Sequence, residues 1–193
     1  MRSRILLFAL TIILCTTTLL AKTTYISYSD EIKLVNQMNT GQYSYNNCGA
    51  ASLEMVFDYL NVDMGTASEI RNQVKPYDGW LYTNEIEEFL DYNKIPYEIE
   101  SIFDEEDILN ALDKGVLMMC LDASKISNKT YTGISGHFVV LSGYYQKDED
   151  CYLEVFDPMS YETKYYKTNE VLLSAMSWWE YFFVFKREAI SDE

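Results

Sequence analysis

The segment Cys48-Gly-Ala-Ala-Ser-Leu-Glu-Met-Val-Phe-Asp-Tyr-Leu60 restricts the possible folds more than any other stretch of the chain. Read as a helix, it carries Ala51, Leu53, Met55, Val56, Phe57, Tyr59 and Leu60 around most of its circumference. A surface helix needs one apolar stripe, so a helix with this much apolar surface belongs inside a core, packed on more than one side. The chain has the material for such a core: 193 residues, 48% of them hydrophobic, and three prolines. No Gly/Ser-rich linker, internal repeat or low-complexity block divides it, and a single domain is expected over residues 22–193.

Helices are expected first and strands later, the order of an α+β domain with segregated elements. Asp30 to Gln37 reads as a short helix ahead of the Cys48 to Leu60 helix. Thr66-Ala-Ser-Glu69 is a capping box that opens a helix towards Val74. Thr83 opens another, with Ile86, Phe89 and Leu90 facing inward, and Asp104 a third that Gly115 ends. The strand candidates are Tyr97 to Ile102, Val116 to Leu121, His137 to Tyr145, Tyr152 to Asp157, Tyr161 to Lys167 and Tyr181 to Lys186, rich in β-branched and aromatic residues. They predict an antiparallel sheet packed on the early helices.

The first 21 residues read as an export signal: Arg2 and Arg4, an apolar run from Ile5 to Leu14, and Leu19-Leu20-Ala21 at a cleavage point. An uncleaved membrane anchor is the alternative, and both place the domain outside the cytoplasm, secreted or periplasmic. Cys15 follows the bulky Leu14, which argues against lipidation. The chain has 15 basic and 30 acidic residues, a net charge of -15, and loses Arg2 and Arg4 with the signal. A surface this negative repels nucleic acid. The acidic clusters Asp104-Glu-Glu-Asp107 and Asp148-Glu-Asp150 lack the ligand spacing of a calcium loop and read as solvated charge.

Beyond the signal, Cys48, Cys120 and Cys151 form an odd set, which leaves at least one thiol unpaired within the chain. Cys48 is taken as the free one. Cys120 and Cys151 sit in strand-like runs, either as buried thiols or as a disulfide. One histidine with scattered cysteines makes no zinc site, and no cofactor or metal is expected.

Cys48 falls in the first turn of the core helix, where unpaired backbone N–H groups and the helix dipole favour a thiolate. Gly49, Ala50 and Ala51 keep the approach open. His137, the only histidine, stands at the mouth of the run Gly136-His-Phe-Val-Val-Leu-Ser-Gly-Tyr, where one ring nitrogen can face Cys48. Asp157 follows twenty residues later in Val-Phe-Asp-Pro, at the end of the next strand, where it can accept from the other nitrogen. Gln42, six residues before Cys48, is assigned with the Cys48 backbone N–H to the oxyanion site, with Gln37 as the alternative. Trp80, Trp178 and Trp179 either line a substrate cleft or pack in the core or at the rim.

The ordered set Gln-x5-Cys-Gly-Ala-Ala, Gly-His-Phe-Val-Val-Leu-Ser-Gly-Tyr and Val-Phe-Asp-Pro resembles the bacteriocin-processing (double-glycine leader) cysteine peptidases and their stand-alone secreted relatives, within the papain-like fold. The likeness spans Gln42 to the last strand. It implies Cys48 as nucleophile, His137 as base, Asp157 as orienting acid and Gln42 in the oxyanion hole, acting on a peptide or protein substrate. Two departures stand out. The chain has no Gly-x4-Gly-Lys-Ser/Thr loop of a linked ATPase, and Asn47 stands where the family often has aspartate. The expected reaction is peptide hydrolysis through a thioester. An acyl transferase or amidase would use the same groups, and a secreted binding module would keep the fold without turnover.

Overall fold

The structure, a computed structural model, describes residues 25–127, 131 and 135–187. The segment read as an export signal and most of the loop before His137 lie outside these residues. In chain order the elements are β1 (Tyr25–Ser27), α1 (Cys48–Leu60), α2 (Ala67–Val74), α3 (Thr83–Tyr92), β2 (Glu98–Ser101), α4 (Glu105–Leu112), β3 (Val116–Asp122), β4 (Gly136–Lys147), β5 (Asp150–Phe156), β6 (Lys164–Lys167), α5 (Thr168–Met176) and β7 (Tyr181–Phe185). The strands form one antiparallel sheet in the order β2-β7-β3-β4-β5-β6, with β1 paired to the far half of β4.

Both faces of this sheet are covered, which is why β3 and β4 read as unbroken apolar runs rather than alternating ones. Along β3, Val116, Met118 and Cys120 face the side that holds α1, α2 and α3. Leu117, Met119 and Leu121 face the side that holds α4 and α5. The early helices α1, α2 and α3 pack on the sheet as expected, and α4 and α5 cover its other face. Helix α1 is the centre of its layer: Leu53, Met55 and Val56 are fully buried. Burial contributes about 1.5–3 kcal/mol for each such side chain relative to exposure.

Local chemistry sets the helix starts. Thr66 and Glu69 form the predicted capping box on α2, and Asp104 caps α4 by accepting from the Glu106 and Asp107 N–H groups. Helix α5 was not foreseen, because Lys167 at its N-cap offers no side-chain cap and the Thr168 hydroxyl donates to the Cys151 carbonyl instead. The helix expected over Asp30 to Gln37 is replaced by two short 3-10 turns, Ser29–Glu31 and Gln37–Asn39, joined by irregular chain. Asn36 breaks it by accepting from the Met38 N–H and donating to the Ser160 carbonyl. Among the described residues no helix is long and apolar enough to cross a membrane.

Candidate active site

The helical layer and the sheet part at one end, leaving a cleft of about 630 Å3 with Cys48 and His137 among its lining residues. Cys48 is the first residue of α1. Its predecessor Asn47 turns inward, donating to the Thr40 hydroxyl at 2.8 Å and the Thr40 carbonyl at 3.3 Å. Asn47 therefore makes no side-chain cap, which leaves the Gly49 N–H in the first turn of α1 to the Cys48 sulfur. Gly49 has to be small here: a Cβ on it would meet Leu81 and Phe138 at 3.2–3.3 Å.

His137 is the second residue of β4 and is 2% exposed. Its Nε2 lies 2.8 Å from Asp157 Oδ1, which leaves Nδ1 for the Cys48 side. Asp157 stands where β5 has ended at Phe156, opposite Val140 of β4. The same Oδ1 accepts the Met159 N–H at 2.8 Å, and the Asp157 carbonyl accepts the Ser160 N–H at 2.8 Å, so the turn after Pro158 fixes the carboxylate. Its other oxygen, Oδ2, accepts the hydroxyl of the buried Tyr131.

These contacts set the protonation states. Burial pushes the Cys48 thiol up, but its hydrogen bond to His137, the charge on that ring, and backbone groups of Phe138 and Gly49 outweigh it and hold the thiol below its ordinary value. Burial favours a neutral His137, yet hydrogen bonds and charge from Asp157 and Cys48 push it up to about 9. Asp157 is likewise opposed by burial and held below the usual carboxylate range by His137, Tyr131 and the Met159 N–H. Both shifts run in the direction of a thiolate beside an imidazolium. Cys120, on the neighbouring strand, behaves in the opposite way: burial and the Cys48 charge push it up to about 12. Cys48, Cys120 and Cys151 are all free, so the possible disulfide is not formed.

The two candidate glutamines lie in different surroundings. Gln42 is exposed, in the turn between two 3-10 segments, and is not among the cleft-lining residues. Gln37 is buried and does line the cleft, its Nε2 donating to the carbonyls of Ser44 at 3.0 Å and Tyr45 at 3.3 Å. The two turns, Gln37–Asn39 and Ser44–Asn46, shorten the path between glutamine and cysteine, so a separation of eleven residues brings Gln37 to the cleft and six does not. Spacing along the sequence gave no signal of this compaction. Trp80, Trp178 and Trp179 all line the cleft, and Trp80 and Trp178 are exposed. No group of three or more His, Cys, Asp and Glu among the described residues is placed to hold a metal ion.

The fold is similar to that of a C39-like peptidase from Bacillus anthracis, at 14% identity over 86% of this chain and 99% of that one, with a TM-score of 0.64. It is also similar to the peptidase domain of Streptococcus ComA, a bi-functional ABC transporter involved in a quorum-sensing pathway, at 17% identity over 81% and 99% of the two chains, with a TM-score of 0.56. The fold is the α+β papain-like one, and the class of protein is the papain-like cysteine peptidases. Residues 29–182 match the model of the Peptidase_C39 like family, and the chain belongs to that family. No curated protein matches the chain.

Proposed function

We propose that the protein is an exported cysteine peptidase in which Cys48 is the nucleophile, His137 the general base and acid, and Asp157 the group that orients the imidazole. The observation that carries this reading is the position of His137, whose Nε2 lies 2.8 Å from Asp157 Oδ1 while its interaction with Cys48 lowers the thiol. The Cys48 thiolate attacks the carbonyl carbon of the scissile peptide bond, forming a C–S bond and placing negative charge on the oxygen. The Cys48 backbone N–H and the Gln37 amide stabilise that oxygen, Gln37 exchanging its longer bond to the Tyr45 carbonyl for the oxyanion. The imidazolium gives its proton to the departing amine as the C–N bond breaks, leaving a thioester. Water then adds as His137 takes its proton, and the C–S bond breaks to release the acid.

Incubation with a diverse peptide mixture, read by mass spectrometry, tests the assignment. New termini are expected from the wild-type protein and none from Cys48→Ala, and the wild type is expected to trap as a Cys48 adduct with a peptide-like electrophile. A wild-type protein that cleaves nothing and carries no adduct at Cys48 refutes the reading. Export is supported by Arg2, Arg4 and the apolar run to Leu14. Its test is the mass of the protein recovered outside the cytoplasm, expected to begin at Lys22.

A further inference from the structure

We propose that Tyr131 is a positioning residue for the His137–Asp157 pair, its hydroxyl holding the carboxylate and its ring screening the imidazole. The inference rests on the roles given to His137 and Asp157 above. The two oxygens of Asp157 have different partners. Oδ1 accepts from His137 and from the Met159 N–H, each at 2.8 Å, and Oδ2 accepts the Tyr131 hydroxyl. Asp157 is 1% exposed and Tyr131 3%, so the phenol supplies the donor that water supplies at a surface carboxylate. A buried carboxylate with one oxygen unpartnered gains from taking up a proton or turning away from its partner. The Tyr131 hydrogen bond removes both tendencies.

The ring adds a second effect. Its centroid lies 5.5 Å from that of the His137 imidazole at an interplanar angle of 55°, so an apolar face lies beside the His137–Asp157 bond. Exclusion of water there preserves the strength and direction of that bond. Tyr131 is not among the residues lining the cleft, which separates its role from substrate contact. Among the described residues, the titratable groups that act on Asp157 are His137 from β4, Tyr131 from the preceding loop and Lys164 from β6, with Tyr166 of β6 behind Tyr131. The Tyr166 hydroxyl lies 3.4 Å from that of Tyr131, and Lys164 is paired with Glu162 at 2.7 Å.

The single histidine makes the test direct, since one set of imidazole resonances reports the site. In the wild-type protein the His137 Nε2 proton is expected far downfield and slow to exchange with water. Tyr131→Phe keeps the ring and removes only the hydroxyl. Its kcat is expected to fall about tenfold with KM within about twofold, and its Nε2 proton to exchange faster. The acid limb of its kcat/KM profile is expected at higher pH, because Asp157 has lost a donor to its charged form. A wild-type kcat and pH profile in Tyr131→Phe overturns the proposal. If that variant does not fold, the wild-type protein decides: slow Nε2 exchange supports the proposal and rapid exchange overturns it. Failure of the underlying assignment looks different, as a wild-type protein with neither peptidase activity nor His137-dependent alkylation of Cys48, and it removes both readings.

Discussion

The backbone N–H of Gln37 donates to the carbonyl of Pro158 at 2.7 Å. One hydrogen bond thereby ties the segment before the nucleophile to the turn that carries Asp157, across more than 100 residues of chain. The Asn36 side chain adds a second tie, at 2.9 Å, to the Ser160 carbonyl. Movement of the Asp157 turn therefore pulls on Gln37, and the two polar flanks of the cleft are one mechanical unit.

Gln37→Ala is expected to lower kcat by about 10²–10³, the loss typical of an oxyanion donor. Gln42→Ala, on the exposed turn, is expected to leave kcat within about twofold of wild type. Steady-state kinetics on a cleaved peptide separates the two, and a larger loss from Gln42→Ala reverses the assignment.

Alkylation by iodoacetamide follows the thiolate, and the shifts at the site fix its pH dependence. The Cys48 thiol is held below its ordinary value, so its rapid labelling extends to lower pH than that of an unperturbed thiol. The imidazolium beside it persists until the pH rises through about 9, which closes the ion-pair window on the alkaline side. At pH 6 the expected order is Cys48 well ahead of the buried Cys120, whose thiol is pushed up to about 12. Peptide mapping after a short pulse reads this directly. In His137→Ala the preference for Cys48 at pH 6 is expected to vanish.

Arg71 is a buried cation, 1% exposed, with no carboxylate within salt-bridge distance among the described residues. Its guanidinium donates to the carbonyls of Tyr77 at 2.7 Å, Gly79 at 2.6 Å and Asn46 at 3.4 Å. It holds the loop bearing Trp80 against the Ser44–Asn46 turn that leads into Cys48. Arg71→Met leaves those carbonyls without their charged donor and is expected to cost about 3 kcal/mol of stability. Denaturant melts measure that loss; a variant within about 0.5 kcal/mol of wild type contradicts this role.

Gly136 leaves no room for a side chain, since a Cβ there falls 2.5 Å from Cζ2 of Trp178. Trp178 is 45% exposed and can swing outward, so Gly136→Ala is expected to cost less than about 1 kcal/mol while changing the cleft wall. Red-shifted tryptophan emission and a raised KM for peptides with apolar side chains are the expected signs. An unchanged spectrum and KM contradict the packing described.

The pieces that depend on neighbouring residues in the chain were readable from the sequence. The all-round apolar pattern of Cys48 to Leu60 demanded a buried helix, and α1 has those limits. The Thr66–Glu69 cap and the apolar runs of β3, β4 and β5 are likewise short-range signals, and the proposed roles of Cys48, His137 and Asp157 came from residue type at the ends of such elements. Tertiary structure alone decided what depends on how segments are folded back in space. Two 3-10 turns put Gln37 rather than Gln42 in the cleft, α5 formed without a cap because its buried Val171, Ser174 and Ala175 pack beneath the sheet, and Tyr131 reached Asp157 from a polar loop. The physical reason is one of range: hydrophobic periodicity and capping are written in adjacent residues, whereas a hydrogen bond between distant segments exists only once the core has brought them together.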